Sequence, residues 1–479
     1  MKYKPLTAVW EVTMGCNMRC GHCGSSCEKP LPDELNTHEA LALVDQIAGL
    51  ELKWITLSGG EPLMRKDLPL IIERFVSRGV AVNIISNGWF IDADMAQSLK
   101  NSGVSTVAIS VDGTKKIHDS IRKSGSFQRI EKAVTHLKHA GVTVGAVTTI
   151  SKKNMPILPA LRQTLIDMGV DIWQVQLGQP MGNFKESPDW LIAPEQVLDI
   201  IDFCSETAMA GEIKIFPADC IGYYTEKEAI IRRHSGIGSS ASMWAGCNAG
   251  IRNFGILHNG DILGCTSMRE RSFIEGNIKE QALDYIWSKP EAFAWNRKAT
   301  TANLQGDCAI CIYANKCLGG CSNTRLTMNG DIHSENLYCA YNVSLKKLKE
   351  QLLQENDIKW LIAQAEECLA NDAFQTAAFL ADRALTLCQS EKNTLAIKGF
   401  SEFMCGNYVL CEDANRAALA LDPNDTYAMK GLGLALHKQG DSISGLAYLE
   451  QAAKMTDYAD TDILKDLEFV QREMIKKSP

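Results

Sequence analysis

The chain has 479 residues, enough for about three domains at roughly 150 residues each. Its 46% hydrophobic and 22% charged residues exclude a disordered chain, and a net charge of −8 leaves no basic excess for nucleic acid as a general partner. The unusual count is 17 cysteines against 9 histidines. Met1 to Pro5 is too short for the charged segment of a secretory signal, and no apolar run reaches the roughly 18 residues of a membrane span. A cytoplasmic location with free or metal-bound thiols, away from the membrane, is therefore expected.

From residue 5 to about 211, short apolar runs alternate with helical patterns. Strands are expected at 8–13, 54–57, 80–85, 106–111, 142–149 and 172–177. Helices are expected between them at 38–47, 68–77, 93–100, 127–139 and 157–167, with Thr37 and Ser126 as capping residues. Such βα units form a parallel sheet whose sites gather at the C-terminal ends of strands. From about Lys346 onward Gly and Pro become sparse. A shift of 34 residues then aligns Asp372, Gly406 and Gly440, and also Ala384, Ala418 and Ala452. This period resembles tetratricopeptide repeats, whose concave face commonly holds peptides or protein segments.

The cysteines fall in groups. Met14-Gly15-Cys16-Asn17-Met18-Arg19-Cys20-Gly21-His22-Cys23 sets three at CxxxCxxC spacing just after the first strand, with Cys27 close by. A loop of this length can wrap one iron–sulfur cubane, and three ligands leave one iron open, since a cluster held by protein alone takes four. Zinc would need a fourth ligand, for which Cys27 or His22 is available. Ser58-Gly59-Gly60-Glu61-Pro62 ends the second strand, where paired glycines allow a close backbone approach. Ser86-Asn87-Gly88 ends the third. Ser110-Val111-Asp112-Gly113 ends the fourth, followed by His118-Asp119-Ser120-Ile121-Arg122 and Gly125-Ser126-Phe127.

Together these segments resemble the radical S-adenosylmethionine (SAM) superfamily. The resemblance implies a partial (β/α)6 TIM barrel in which Cys16, Cys20 and Cys23 hold a [4Fe-4S] cluster. SAM chelates the open iron, and its cleavage yields a 5′-deoxyadenosyl radical that abstracts hydrogen from a substrate. By the same resemblance, Gly59, Gly60 and Glu61 serve the SAM amino group, and Ser86 and Asn87 are cofactor-binding. His22 stands where the family usually has an aromatic against adenine, Ser110 lies near the ribose, and Arg122 pairs the SAM carboxylate.

Cys247, Cys265, Cys308, Cys311, Cys317, Cys321 and Cys339 form a second set, with Gly260 four residues before Cys265. This layout resembles the SPASM extension of radical SAM proteins, which carries two auxiliary iron–sulfur clusters, here expected as [4Fe-4S]. The resemblance gives Cys308, Cys311, Cys317 and Cys339 to an outer cluster, and Cys247, Cys265 and Cys321 to an inner one. The inner cluster then lacks a ligand, because upstream positions such as Ala241 and Ser242 carry no thiol. Either Cys220 reaches in or one iron stays open, and an open iron would favour a soft substrate thiolate as its ligand. A two-zinc domain is the alternative for this spacing. Sulfatase-maturing relatives place an Asp base directly after the Gly-x4-Cys cysteine, where this chain has Thr266. Asp112, His118, Asp119 and Cys220 remain as catalytic candidates. Cys368, Cys388, Cys405 and Cys411 fall on apolar helical positions, where cysteine packs as a small hydrophobe.

Three domains are therefore expected: a radical SAM barrel at 1–235, a SPASM domain at 236–345 and a helical repeat array at 346–479. Many SPASM enzymes modify ribosomally made peptides, and many bind the precursor leader through an N-terminal winged helix. The first strand here begins near residue 6, so capture by the C-terminal repeats or by a separate protein is expected instead. The expected function is a radical SAM oxidoreductase that installs a C–S or C–C crosslink, or a related modification, in a precursor peptide. An external donor such as flavodoxin or ferredoxin would supply electrons, and a partner protein could dock on the repeats. Oxidation of a small molecule or a protein residue, or a cluster-carrying electron-transfer adaptor, are the alternatives.

Overall fold

A computed structural model describes residues 3–235 and 245–477. Ala241, Ser242 and the start of the expected second domain at 236 lie outside the described residues. The described chain forms two compact units, one within Met1–Ala309 and Tyr313–Val343, the other within Ile310–Ile312 and Ser344–Pro479. The barrel and most of the cysteine-rich region thus share one unit.

All six expected strands form, as β1 (Thr7–Glu11), β2 (Trp54–Ser58), β3 (Ala81–Ser86), β4 (Thr106–Ser110), β5 (Thr143–Ile150) and β6 (Ile172–Leu177). A seventh, β7 (Lys214–Pro217), follows a helix at Val197–Ala210, and β1 to β7 pair in sequence order, each parallel to the next. At only four residues, β7 is too short to stand out as an apolar run. Three further strands, β8 (Asn253–Ile256), β9 (Asp261–Leu263) and β10 (Ile274–Asn277), extend the sheet to ten. β8 lies parallel to β1, so the cysteine-rich region continues the barrel sheet from its first strand.

Period-two alternation marks β2, β3 and β6, whereas β5 is buried on both faces. Trp10, Ile55, Leu57, Val82, Ile84, Val107 and Ile109 are buried against Leu43, Ile47, Ile71, Ile72 and Phe75 of the surrounding helices. Two expected caps are corrected by one residue. Helix Thr37–Gly49 is capped by Asn36, whose Oδ1 accepts from Glu39 N at 3.0 Å while the Glu39 carboxylate accepts from Asn36 N at 2.9 Å. This reciprocal box satisfies two orphan donors, which Thr37 does not. Ser126 likewise lies inside helix Ser126–His139, behind Gly125 at φ 77°.

The second unit is a helical array. Its helices are Ile358–Ala370, Phe374–Leu387, Lys392–Met404, Tyr408–Leu421, Thr426–Lys438, Ser442–Met455 and Thr461–Lys477. Starts at 358, 392 and 426, and at 374, 408 and 442, repeat the 34-residue period of the sequence. Asp372, Gly406 and Gly440 turn between paired helices at φ 56°, 83° and 100°, all left-handed. Ala384, Ala418 and Ala452 are buried between helices. Cys411 is a core residue and Cys368 lies half-buried within a helix, as expected. Cys388 and Cys405 instead sit one residue past helix ends, half-buried, because those helices stop a residue earlier than the apolar pattern does. Among the described residues, no helix is long and apolar enough to cross a membrane.

Candidate active site

A cavity of about 420 Å³ lies in the first unit at the C-terminal mouths of the parallel strands. All seven contribute from or just beyond that end: Glu11, Ser58, Ser86, Ser110, Thr149, Gln176 and, after β7, Asp219. Cys16, Cys20, Cys23 and Cys27 line it, and so do Cys220, Cys265, Thr266, Arg269, Cys321 and Asn323.

The cysteine loop is fixed from several directions. Cys16 N donates to Glu28 O at 3.0 Å and Glu28 N to Met14 O at 3.1 Å, which closes the loop on itself. The Glu34 carboxylate accepts from Met14 N at 2.7 Å and from the Thr13 hydroxyl at 3.0 Å. The glycine pair after β2 has a role beyond that read from sequence. Gly60 N donates to Thr13 O at 2.7 Å and Glu61 N to Gly15 O at 2.8 Å, so this segment grips the loop that carries Cys16. A Cβ on Gly59, at φ 129°, would stand 2.3 Å from Thr13 O, and one on Gly60 2.1 Å from Gly15 O. Gly60→Ala therefore sets backbone against backbone. It should displace Cys16 and reduce SAM cleavage by at least about 100-fold, read as 5′-deoxyadenosine formed per minute.

Glu61 is fully buried and does not line the cavity. Its carboxylate accepts from Ser86 Oγ at 2.8 Å and Asn87 N at 2.7 Å, tying the end of β2 to that of β3. Burial pushes this carboxyl up to about 7 against those hydrogen bonds. Asn87 in turn donates through Nδ2 to Asn17 Oδ1 at 2.7 Å and points that nitrogen toward Cys16 Sγ at 3.9 Å.

Sequence pattern missed a further clamp after β6. Asn183 N donates to Cys23 O at 2.9 Å and Asn183 Nδ2 to Cys20 O at 3.1 Å. Gly182 is left-handed at φ 50°, and a Cβ there would meet Cys23 O at 2.4 Å. Only the Gly182-Asn183 pair in the loop after β6 betrays it in the sequence.

The block after β4 builds a buried polar network around Asp112, which lies behind the cavity wall. Its carboxylate accepts from His22 Nε2 at 2.8 Å, from Thr149 N at 2.9 Å and from Arg122 Nε. Burial opposes ionisation of Asp112, yet Arg122 and then His22 hold its carboxyl below the usual carboxylate range. Arg122 is thus anchored at the cavity wall, with Nη1 3.8 Å from Cys20 Sγ. His22 lines the cavity and its Nδ1 has no hydrogen-bond partner among the described residues. Asp119 accepts from Gly125 N, Phe127 N and Ser126 Oγ, so it caps helix Ser126–His139 away from the cavity.

His118 is also away from the cavity, accepting from Asp112 N through Nδ1 at 3.1 Å and packing edge-on to Phe127. Burial, and then the Arg122 charge, lowers this imidazole to about 4. Below pH 6.5 the unfolded chain takes up a proton that the folded chain refuses, so stability should fall between pH 6.5 and about 4. The share from His118 is up to about 3 kcal/mol at 1.36 kcal/mol per unit. Thermal midpoints of wild type and His118→Gln across that window check it; the variant should show the flatter profile.

The thiols differ in setting. A hydrogen bond from Cys27 first, working against burial, lowers Cys23 to about 5, whereas burial raises Cys20 to about 11 and also raises Cys16. In the second set, burial raises Cys247 to about 12 and Cys265 to about 11, and raises Cys321. Cys308, Cys317 and Cys339 are buried in the same unit, with Asn336 N 3.4 Å from Cys308 Sγ. Tyr223 and Tyr224 pack among Cys317 and Cys339, and Tyr224 stacks on Tyr313 at 4.1 Å. Cys311 is half-buried and groups with the second unit. Among the described residues, no three Cys, His, Asp or Glu side chains are gathered around a point that could hold a metal ion. Cys16, Cys20, Cys23, Cys265 and Cys321 line a void instead, and soft sulfur donors spread around a void suit a polynuclear iron–sulfur group.

Comparison with known proteins agrees. Residues 10–159 match the model of the radical SAM superfamily, and residues 247–317 that of an iron–sulfur cluster-binding domain, SPASM. An AdoMet-dependent heme synthase from Oleidesulfovibrio alaskensis is 30% identical over 349 residues, spanning 69% of this chain and 86% of the relative. The chain belongs to the radical SAM superfamily. It is a radical SAM enzyme whose catalytic domain binds SAM and a [4Fe-4S] cluster and whose SPASM domain binds auxiliary iron–sulfur clusters. The mycofactocin maturase MftC of Mycolicibacterium smegmatis is 27% identical over 337 residues, 66% of this chain and 78% of that one. Streptococcus suis SuiB, solved with precursor peptide SuiA, shares the fold at a TM-score of 0.56 and 16% identity, over 70% of this chain and 75% of SuiB.

Proposed function

We propose that this enzyme oxidatively modifies a ribosomally made precursor peptide, with a C–S or C–C crosslink or a related change as the product. The observation that carries the reading is one cavity lined by Cys16, Cys20 and Cys23 and also by Cys265 and Cys321. A substrate held there meets both sets of thiols, so loss of a hydrogen atom and of a further electron can occur at one place. The bound cluster and SAM supply the 5′-deoxyadenosyl radical that abstracts the hydrogen.

The protein's part is positioning. Cys16, Cys20 and Cys23 would hold the cluster, with Gly59 and Gly60 lining the wall beside them. Arg122, kept charged and in place by Asp112, is set to pair the SAM carboxylate, and the free His22 Nδ1 to meet the adenine. Ser110 lines the wall between them. Cys247, Cys265 and Cys321 would serve the inner auxiliary cluster, and Cys308, Cys317 and Cys339 contribute to the outer one.

Peptide substrates accord with a fold neighbour solved on its precursor peptide and with a helical array of the kind that holds extended chains. Deleting residues 346–479 should weaken precursor binding at least tenfold and leave SAM cleavage without peptide unchanged, as read by titration and 5′-deoxyadenosine yield. Unchanged precursor affinity would refute capture by the repeats. A second reading, oxidation of a small molecule, is favoured by the heme synthase relative at 30% identity. Product masses after incubation with SAM, reductant and either a co-expressed precursor peptide or an iron porphyrin separate the two.

A further inference from the structure

The cavity holds an aspartate that no sequence pattern marked. Asp219 lies two residues beyond β7, on the loop that also carries Cys220. Protein surrounds it closely, yet more than a third of its surface is open. These facts agree if the side chain projects into the void that it lines. No hydrogen bond to its carboxylate is made by any described residue, although an unpaired carboxylate in such a setting is costly. Burial raises the carboxyl above its ordinary value even against the charge of Arg232, which forms no ion pair with it among the described residues. Asp219 lines the same cavity as Cys265 and Cys321.

The backbone supports the same grouping. The Tyr223 hydroxyl donates to Asp219 O and accepts from Cys321 N at 3.1 Å, so one buried phenol sets the aspartate loop against the cysteine. Gly222, Tyr223 and Tyr224 hold this turn with three successive left-handed residues, at φ 119°, 86° and 55°. Backbone strain of this kind persists only where surrounding structure enforces it. Cys220 is committed differently. Its Sγ accepts from Leu177 N at 3.3 Å, and its side chain is 9% exposed and packed into the apolar core.

We propose that the Asp219 carboxylate joins Cys247, Cys265 and Cys321 as the fourth ligand of the inner auxiliary iron–sulfur cluster. The inner site is then closed by oxygen, and neither Cys220 nor an open iron is required. Iron accepts carboxylate as well as thiolate donors, and coordination removes the cost of the unpaired charge. The proposal rests on the assignment of those three thiols to the inner cluster.

The test is pulsed EPR on the anaerobically reconstituted holoenzyme, reduced, with 13C-enriched aspartate. One auxiliary signal of the wild type should show a strong 13C hyperfine coupling. Asp219→Cys should abolish the coupling and shift that signal's g-values, while Cys220→Ala should match wild type. The SAM-cluster signal, unchanged in each, reports that the variants fold. Absence of coupling in wild type with an unaltered Asp219→Ala spectrum would overturn the proposal, as would a displaced auxiliary signal in Cys220→Ala. Cys265→Ala tests the thiol assignment separately: it should lose one auxiliary signal, and retention of both would remove the ground on which the proposal stands.

Discussion

Cys20→Ala is expected to abolish 5′-deoxyadenosine formation, a loss of at least about 10³-fold or roughly 4 kcal/mol of barrier. It should also lower bound iron by about four atoms per chain while leaving the auxiliary signals in place. The reason is local. Cys20 is buried beside Arg122, and its carbonyl is pinned by Asn183 Nδ2 at 3.1 Å, so no neighbouring thiol can slide into its place. Cys27 is the nearest reserve, but its thiol donates to Cys23 and lies 3.9 Å from Met14 Sδ. Iron analysis and 5′-deoxyadenosine yield check this together. Full activity in Cys20→Ala would move the cluster elsewhere.

Asp112→Asn is expected to produce the largest loss of stability outside the thiols. The variant leaves the Arg122 guanidinium buried without its counter-charge, and removal of one partner from a buried pair costs about 3–5 kcal/mol. Asn also offers only one acceptor oxygen where Asp112 serves His22, Thr149 N and Arg122. The thermal midpoint should fall and SAM affinity should drop at least tenfold, because Arg122 loses its anchor. The pH dependence has a definite sign. Asp112 titrates below the ordinary carboxylate range, so its stabilisation is complete at neutral pH and is lost progressively as the pH falls from the ordinary value of 3.8 toward the lowered one. Unchanged SAM affinity in Asp112→Asn would show that Arg122 does not depend on this network.

Legibility followed the physics of each segment. Strands β1 to β6 could be read because their apolar runs extend over five or more residues, whereas β7 to β10 have three or four each and rely on sheet neighbours. The repeat array was readable from a period alone. Asp372 aligned with Gly406 and Gly440 because all three positions require a left-handed turn, which Asp tolerates better than most residues. Cysteine spacing revealed which thiols matter but not what holds them. Gly59 and Gly60 read as a ligand-binding pair, and their closest neighbours turn out to be Thr13 and Gly15 of the cysteine loop. The acids at the cavity were missed for a different reason. Glu11 ends β1 paired with Arg269 and Asp219 follows β7, single residues without a motif, brought together only by the closing of the sheet. Asp112, His118 and Asp119 stood in a recognisable block, yet the structure puts all three behind the cavity wall.

The central claim is that the two thiol sets act on one substrate in one cavity, and Cys265→Ala tests it most directly. With SAM, reductant and a co-expressed precursor peptide, wild type should yield peptide lighter by two hydrogens per event, measured by intact mass. The variant should still form 5′-deoxyadenosine but leave the peptide mass unchanged. Peptide oxidised by Cys265→Ala at the wild-type rate would contradict the account.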